Sequence, residues 1–195
     1  LADSKATLVQ TNKHQLEIAR QLSHTRLPSL NTSEIGNSFS ADNPAVRISP
    51  DDKTAITYTS GSTGEPKGVV ETNRSRLHNT MAAANQFRIC PGDKLSLIHS
   101  IYFAARQDQT FRSLLNGASL FPFDIKSFSL ERLVEWIKAE NITILYLPVA
   151  LFRQLAGHSP SLEMFSSVRI VHISGAPILR SDFEFYRTKF PERTF

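Results

Sequence analysis

Apolar runs alternate with amphipathic stretches along most of the chain, and this alternation predicts the elements of an α/β fold. Short apolar or β-branched runs indicate buried strands, whereas apolar residues at helical spacing indicate helices that pack on a sheet. The pattern predicts strands at 6–11, 54–59, 94–99, 118–123, 142–147 and 168–173. Because at least four strand-to-helix units follow one another, we expect a mostly parallel sheet covered by helices.

The clearest predicted helix spans 130–140. Four apolar residues recur there at helical spacing: Leu130, Leu133, Val134 and Ile137. Ser129 precedes them, and serine is a favoured N-cap because its hydroxyl accepts from a backbone N–H of the first turn. The same reasoning predicts helices at 13–22, 107–115, 149–156 and, capped by Ser181, 181–190.

Two further expectations concern the first half of the chain. A helix that begins near Ser75 should turn Leu77, Met81 and Ala84 toward the core. Residues 28–52 are rich in proline, serine, asparagine and aspartate, so this segment is predicted to be a long connection without core elements.

Composition and charge exclude several classes of function. The 195 residues are 41% hydrophobic and 21% charged, a balance typical of a globular domain. The net charge of +4 is spread without a basic run, so we expect no nucleic-acid partner. No window approaches the roughly 18 apolar residues of a membrane span. The single cysteine forms no internal disulfide and the histidines lack metal-ligand spacing, so we expect a cytoplasmic protein without a bound structural metal.

A segment rich in glycine and hydroxyl residues follows the strand predicted at 54–59. Glycine lets backbone N–H groups approach an oxyanion closely, hydroxyls donate further hydrogen bonds, and lysine adds a point charge. This mixture predicts a loop that binds the phosphates of ATP. Its candidate phosphate-binding residues are Thr59, Ser60, Gly61, Ser62, Thr63, Gly64 and Lys67.

The order of residues distinguishes this loop from a Walker loop, because Pro66 precedes the lysine and the required Gly-Lys-Ser/Thr is absent. Ten consecutive residues, 59–68, match one loop signature in order, and this disfavours the alternative of a flexible Ser/Gly turn. The stretch Ser60-Gly-Ser-Thr-Gly-Glu-Pro-Lys-Gly68 resembles the signature of the AMP-forming adenylating enzymes, which include peptide-synthetase adenylation domains, acyl-CoA ligases and luciferases. The resemblance implies that ATP, with Mg²⁺, activates a carboxylic acid as its acyl adenylate.

Two later segments extend the resemblance. Residues 173–178, Ile-Ser-Gly-Ala-Pro-Ile, resemble the family's strand end that packs against adenine, which makes Gly175, Ala176 and Pro177 the candidate adenine contacts. The segment before Leu114-Leu-Asn-Gly-Ala118 corresponds to the family's acid pocket. By that correspondence Phe103, Ala104 and Gln107 are the candidate acid-binding residues.

Ala104 stands where peptide-synthetase domains carry an aspartate that pairs with the substrate's ammonium group. Alanine cannot hold a cation, so the pocket is consistent with an acid that lacks the amine, or with an amino acid anchored elsewhere, for example by Asp108. The first alternative is our preferred expectation.

The family's magnesium-binding glutamate and its C-terminal lysine have no counterpart in the sequence, so catalytic residues cannot be assigned. We expect residues 1–195 to be a single partial domain, the central section of the N-terminal AMP-binding domain, without the small C-terminal domain and inactive alone. Three hypotheses remain open: a peptide- or polyketide-synthetase adenylation domain that loads a carrier protein's phosphopantetheine, a free-standing ligase that uses coenzyme A, and a non-catalytic nucleotide-binding or scaffold fragment.

Overall fold

The computed structural model describes residues 3–22, 27–36, 40, 42–59, 64–98, 104–158 and 161–190. It divides the chain into two compact units, 1–75 and 76–195. Each unit has its own sheets and helices. Among the described residues, no helix combines the length and the apolar character needed to cross a membrane.

The first unit is built from short elements. Strand β1 (Val9–Thr11) pairs in parallel with β2 (Ser29–Asn31), and helix α1 (Leu16–Leu22) lies between them in the chain. The Asn12 side chain accepts from the N–H groups of His14 and Gln15, which starts the turn into α1. The strand β2 and a 3₁₀ turn after it correct the prediction that 28–52 lacks elements. The prediction missed them because three polar-flanked residues carry too little apolar pattern.

A β-hairpin completes this unit. Strand β3 (Lys53–Thr59) pairs antiparallel with β4 (Lys67–Thr72), and Thr59 lies opposite Lys67 at the end of the ladder. No strand was predicted between the glycine-rich loop and the helix expected to begin near Ser75, so β4 is an addition to the predicted elements. Val69 and Val70 are the β-branched signal for the additional strand, which the phosphate-loop pattern obscured.

The second unit holds a four-stranded parallel sheet. Its strands are β5 (Lys94–Leu97), β6 (Ser119–Pro122), β7 (Ile144–Pro148) and β8 (Ile170–Ser174), in the spatial order β6-β5-β7-β8. Because β6 and β7 lie on opposite sides of β5, the strand order reverses direction at β5–β7. In parallel sheets ligands bind beyond the carboxyl ends of the strands near such a reversal. The predicted α/β class with a mostly parallel, helix-covered sheet is confirmed.

Helices cover the sheet on both faces. They are α3 (Ala104–Leu114), α4 (Leu130–Ala139), α5 (Val149–His158) and α6 (Arg180–Lys189), preceded by α2 (Asn73–Phe87) at the boundary of the two units. The larger core cluster joins Leu145 and Leu147 of β7 to α4, α5 and the buried Phe165. A smaller cluster lies on the other face around Leu95, Ile144 and Tyr146.

The ends of three helices test the predicted signals. Ser129 caps α4 by accepting from the Arg132 N–H, as predicted. Gly117 follows α3 with a φ of +70°, the left-handed backbone expected of a glycine that ends a helix. Ser181 does not cap α6, because the helix begins at Arg180, and the Asp182 carboxylate instead accepts from the Leu179 N–H at 2.7 Å.

The inward face of α2 differs from the prediction. Leu77 and Met81 are 52% and 58% exposed, so the expectation that they face the core is wrong, whereas Ala84 is buried. Arg76 occupies the inward side instead and is only 5% exposed. Helical spacing alone did not reveal this, because a buried arginine is rare unless it is paired.

An ion pair stabilises the amino-terminal edge of the sheet. The Arg169 Nε and Nη2 donate to Asp93 at 2.8 and 2.6 Å, and the same guanidinium donates to the carbonyl oxygens of Phe87 and Arg88 at the end of α2. Burial raises the pKa of Asp93, but hydrogen bonds from Arg169, from the Cys90 N–H and from a threonine hydroxyl outweigh it and lower the pKa to about 2. The pair therefore joins α2 to the starts of β5 and β8.

We expect Asp93→Asn to lower the free energy of unfolding by about 2–3 kcal/mol, because the Arg169 charge loses its partner. Denaturant unfolding at pH 7 measures the change, and Glu135→Gln, in an exposed ion pair with Arg132, is the control that should show none. A carboxyl whose pKa is lowered on folding stabilises above its unfolded pKa of about 3.9. The difference between wild type and Asp93→Asn should therefore shrink as the pH falls from about 4 toward 2. A difference in unfolding free energy that is the same at pH 7 and near pH 2 would contradict the assigned pair.

Candidate functional site

The predicted phosphate loop is closed at its base by the hairpin. Thr59 and Lys67 are paired residues of β3 and β4, and the Thr59 hydroxyl lies 3.5 Å from the Lys67 carbonyl oxygen. Lys67 is exposed, so its ammonium group is accessible to a ligand. The candidates Ser60, Gly61, Ser62 and Thr63 lie outside the described residues. The two ends of the loop are thus held in register by strand pairing.

Gly64 has the backbone that the loop chemistry requires. Its φ is +83°, a region that other residues adopt only with strain, and among the described residues no atom beyond its chain neighbours lies within 4 Å of the position where a Cβ would be. The open space beside Gly64 leaves its backbone accessible. Gly64 and Lys67 therefore fit a loop that receives a polyphosphate. Within the described ranges, no group of three or more His, Cys, Asp or Glu side chains is placed to hold a metal ion by itself.

The predicted adenine segment follows β8 at the carboxyl edge of the parallel sheet. Ser174 is the last residue paired to β7, and Gly175, Ala176 and Pro177 are exposed directly after it. Gly175 has a φ of +97°, and a Cβ there would meet nothing within 4 Å. The segment thus presents backbone with little side-chain bulk, which suits contact with a flat ring.

The end of this segment is held by two charged side chains that sequence reasoning missed. Arg153 of α5 donates to the Asp182 carboxylate and to the Pro177 carbonyl oxygen. The hydrogen bonds from Arg153 and from the Leu179 N–H lower the pKa of Asp182 to about 2, so its carboxylate is ionised at neutral pH. Both residues are ordinary in the sequence, and only the fold brings them together.

The predicted acid pocket lies at the start of α3, after β5. Phe103 lies outside the described residues, and the structure describes only the backbone of Ala104, the first residue of α3. Gln107 is exposed, and its side-chain oxygen accepts from Arg76 Nη2 at 3.0 Å. The Arg76 guanidinium also lies 5.6 Å from the centre of the Phe111 ring. Arg76 is thus a cation beside the candidate pocket that sequence reasoning did not identify.

Asp108, the alternative anchor for a substrate ammonium group, is occupied by arginines. Its carboxylate lies 2.7 Å from Arg76 Nη1 and 3.6 Å from Arg112 Nη2. An ammonium ion would have to compete with these two cations for the same oxygens. The local charge at the start of α3 is therefore better matched to an anionic group than to a cation.

An aromatic layer lies on the sheet face that carries the smaller core cluster. The Tyr146 ring lies 5.1 Å from the His172 ring on the neighbouring strand and 6.3 Å from the Phe87 ring. Tyr146 is fully buried, and its burial raises the pKa of its hydroxyl.

The chain is similar to known proteins along its whole length. The sequence profile of the family described as AMP-binding enzyme matches residues 1–195. The chain belongs to this family. Surfactin synthase subunit 2 from Bacillus subtilis (strain 168) is 32% identical over 176 residues, which are 89% of this chain and 5% of that protein. The chain thus spans about a twentieth of the length of this relative. The predicted AMP-forming adenylating superfamily is confirmed.

Solved structures of AMP-binding enzymes share the fold. O-succinylbenzoate coenzyme A synthetase from Bacillus subtilis, in complex with ATP and magnesium ion, superposes with a TM-score of 0.81 at 19% identity, over 97% of this chain and 38% of that one. The Klebsiella oxytoca NpsA N-terminal subdomain, in complex with 3-hydroxyanthranilyl-AMSN, has a TM-score of 0.69 at 27% identity, over 82% of this chain and 40% of that one. The architecture is that of a part of the N-terminal domain in these enzymes.

The positive φ of Gly64 can be tested separately from any loss of space. Gly64→Ala should lower the free energy of unfolding by about 1 kcal/mol, because alanine is strained at this φ. Gly92→Ala is the matched control, since its Cβ also meets nothing within 4 Å but its φ lies outside the strained range. Denaturant unfolding of both variants measures the difference. Equal stabilities would show that the loop does not hold Gly64 in this conformation.

Proposed function

We propose that the protein containing this chain activates a carboxylic acid with ATP, forming an acyl adenylate and pyrophosphate. The observation that carries the proposal is the pairing of Thr59 with Lys67 at the base of the glycine-rich segment, together with Gly64 at positive φ. Membership of the AMP-binding enzyme family supports the nucleotide. Residues 59–64 and Lys67 would hold the phosphates, and Gly175, Ala176 and Pro177 the adenine.

The chemistry follows from the charges. A carboxylate oxygen attacks the α-phosphorus, a new P–O bond forms, and the bond between the α-phosphorus and the bridging oxygen breaks to release pyrophosphate. Loop N–H groups, hydroxyls and Lys67 are suited to stabilise the charge on the departing group. We propose that Mg²⁺ accompanies the nucleotide and neutralises part of that charge when bound. Its protein ligand, and the small C-terminal domain, would come from sequence other than this chain, which would be inactive alone.

We further propose that the acid lacks an α-ammonium group. Ala104 offers no carboxylate, and Asp108 is held by Arg76 and Arg112. The ligand of NpsA, 3-hydroxyanthranilyl-AMSN, carries an aromatic acyl group without an α-amine and supports the idea. Phe103 and Gln107 remain our candidates for contact with the acid.

The acceptor in the second step would be a thiol that takes the acyl group and releases AMP. Similarity to surfactin synthase supports a carrier protein's phosphopantetheine, and the fold shared with a coenzyme A synthetase keeps coenzyme A as the second candidate. A carrier domain in the same polypeptide would favour the first.

Cys90 is a free, exposed cysteine, which suits our proposal of a cytoplasmic enzyme.

Exchange of pyrophosphate into ATP, measured on the complete protein with aryl, fatty and amino acids, tests the proposed reaction. We expect exchange with at least one acid that has no α-amine. Exchange with none of the three classes would favour a non-catalytic nucleotide-binding or scaffold role.

Lys67→Ala in the complete protein should raise the KM for ATP by about ten- to a hundredfold, because a charge-assisted hydrogen bond to phosphate is worth about 1.5–3 kcal/mol. The melting temperature should stay the same, since Lys67 is exposed. Lys53→Ala, at the exposed start of β3, is the matched control and should leave the KM for ATP unchanged. An unaltered KM in Lys67→Ala would remove the lysine from the phosphate site.

Ala104→Asp should weaken use of the native acid by at least about tenfold, because a new carboxylate would repel the substrate carboxylate. The KM of the acid and the exchange rate measure this effect. Ala139→Asp, at the exposed end of α4 before the start of β7, introduces the same charge at the opposite edge of the sheet and should have little effect. Unchanged activity in Ala104→Asp would place the acid elsewhere.

A further inference from the structure

Arg153 and Asp182 form a two-pronged ion pair at the carboxyl edge of the parallel sheet. Arg153 Nε and Nη2 donate to the two carboxylate oxygens at 2.9 and 2.8 Å. Asp182 is only 4% exposed, whereas 39% of the Arg153 side chain is exposed. A bidentate pair of this kind fixes the orientation of both groups. It joins the first half of α5 to the first turn of α6.

The same two side chains also hold the backbone on both sides of Ile178. Arg153 Nη2 donates to the Pro177 carbonyl oxygen at 3.0 Å, and the Asp182 carboxylate accepts from the Leu179 N–H at 2.7 Å. At the other end of the segment, Ser174 pairs with Pro148 in the sheet. Residues 175–177 are therefore anchored before and after the exposed stretch.

We propose that Arg153 is a positioning residue that holds the Gly175–Pro177 backbone in the conformation that receives the base of the nucleotide. The proposal rests on the adenine assignment made above for the same segment. A backbone platform without side-chain bulk contacts a ring only if its geometry is fixed, because each freely rotating residue would have to be ordered on binding. Arg153 supplies that order through a main-chain carbonyl and through Asp182.

The ion pair at the opposite edge of the sheet provides a contrast. Arg169 and Asp93 have the same bidentate geometry, yet their further hydrogen bonds go to the end of α2 and to the start of β5 and β7. That pair stabilises elements of the fold. The hydrogen bonds of Arg153 and Asp182 go to an exposed segment that follows a strand, which is where a ligand can reach it.

Binding of AMP and of pyrophosphate to the complete protein separates positioning of the base from a general loss of structure. AMP carries the base, whereas pyrophosphate occupies only the phosphate site. Titration calorimetry of Arg153→Met should show AMP binding weakened by about tenfold and pyrophosphate binding changed by less than about twofold, since the hydrogen bond to the Pro177 carbonyl oxygen and the two that orient Asp182 are lost. Arg153→Lys can keep the ion pair with Asp182, but a single ammonium group cannot make both hydrogen bonds to the carboxylate and the one to Pro177. Its AMP affinity should therefore lie between those of the wild type and Arg153→Met.

Arg132→Met, in an exposed ion pair on α4, is the control and should change neither affinity. The positioning role is overturned if AMP affinity survives in Arg153→Met, or if AMP and pyrophosphate weaken equally. If thermal melting shows that Arg153→Met does not fold, the losses of AMP affinity and of pyrophosphate affinity are compared in Arg153→Lys instead. A folded wild-type protein that binds pyrophosphate but not AMP would overturn the adenine assignment itself, whereas a variant-specific loss of AMP binding supports both.

Discussion

A parallel sheet covered on both faces leaves the ends of its strands as the places where polar groups must find partners. In the second unit this constraint is met at both edges by an aspartate that is almost fully buried and an arginine that forks onto it. Asp93 and Arg169 lie at the amino edge, and Arg153 and Asp182 at the carboxyl edge. Leaving either carboxylate unpaired would leave a charge in a dry site, so each pair favours the packing of the elements that it joins.

The two edges have different consequences for function. At the amino edge the ion pair is enclosed by α2 and by the starts of the strands, and its value is in stability. At the carboxyl edge the segment Gly175–Pro177 is exposed, and α3 begins after β5 with Arg76, Gln107 and Asp108 in contact. The candidate adenine and acid residues of the second unit thus both belong to the edge where parallel sheets bind ligands.

The sequence predicted the elements that have strong periodicity. Helix α4, its Ser129 cap and the buried strand β7 were identified to within two residues. Strand β4 was missed because its residues follow directly on a motif that was interpreted only for its chemistry. Leu77 and Met81 were predicted to face the core because helical spacing does not show which side of a helix packs against it. The Arg153–Asp182 pair depends on residues of two different helices, so no local pattern could reveal it. The glycine-rich loop was recognisable because its composition is unusual.

The pairing of Thr59 with Lys67 has a consequence for the entropy of the proposed nucleotide binding. Bringing the ends of a flexible loop together costs conformational freedom, and the cost grows with loop length. Here the pairing of β3 with β4 already incurs that cost during folding, before a nucleotide would bind. The free energy of the proposed phosphate binding then does not include the cost of bringing Thr59 and Lys67 together. A protein in which β3 and β4 no longer pair would bind the nucleotide more weakly, even if every contact to phosphate could still form.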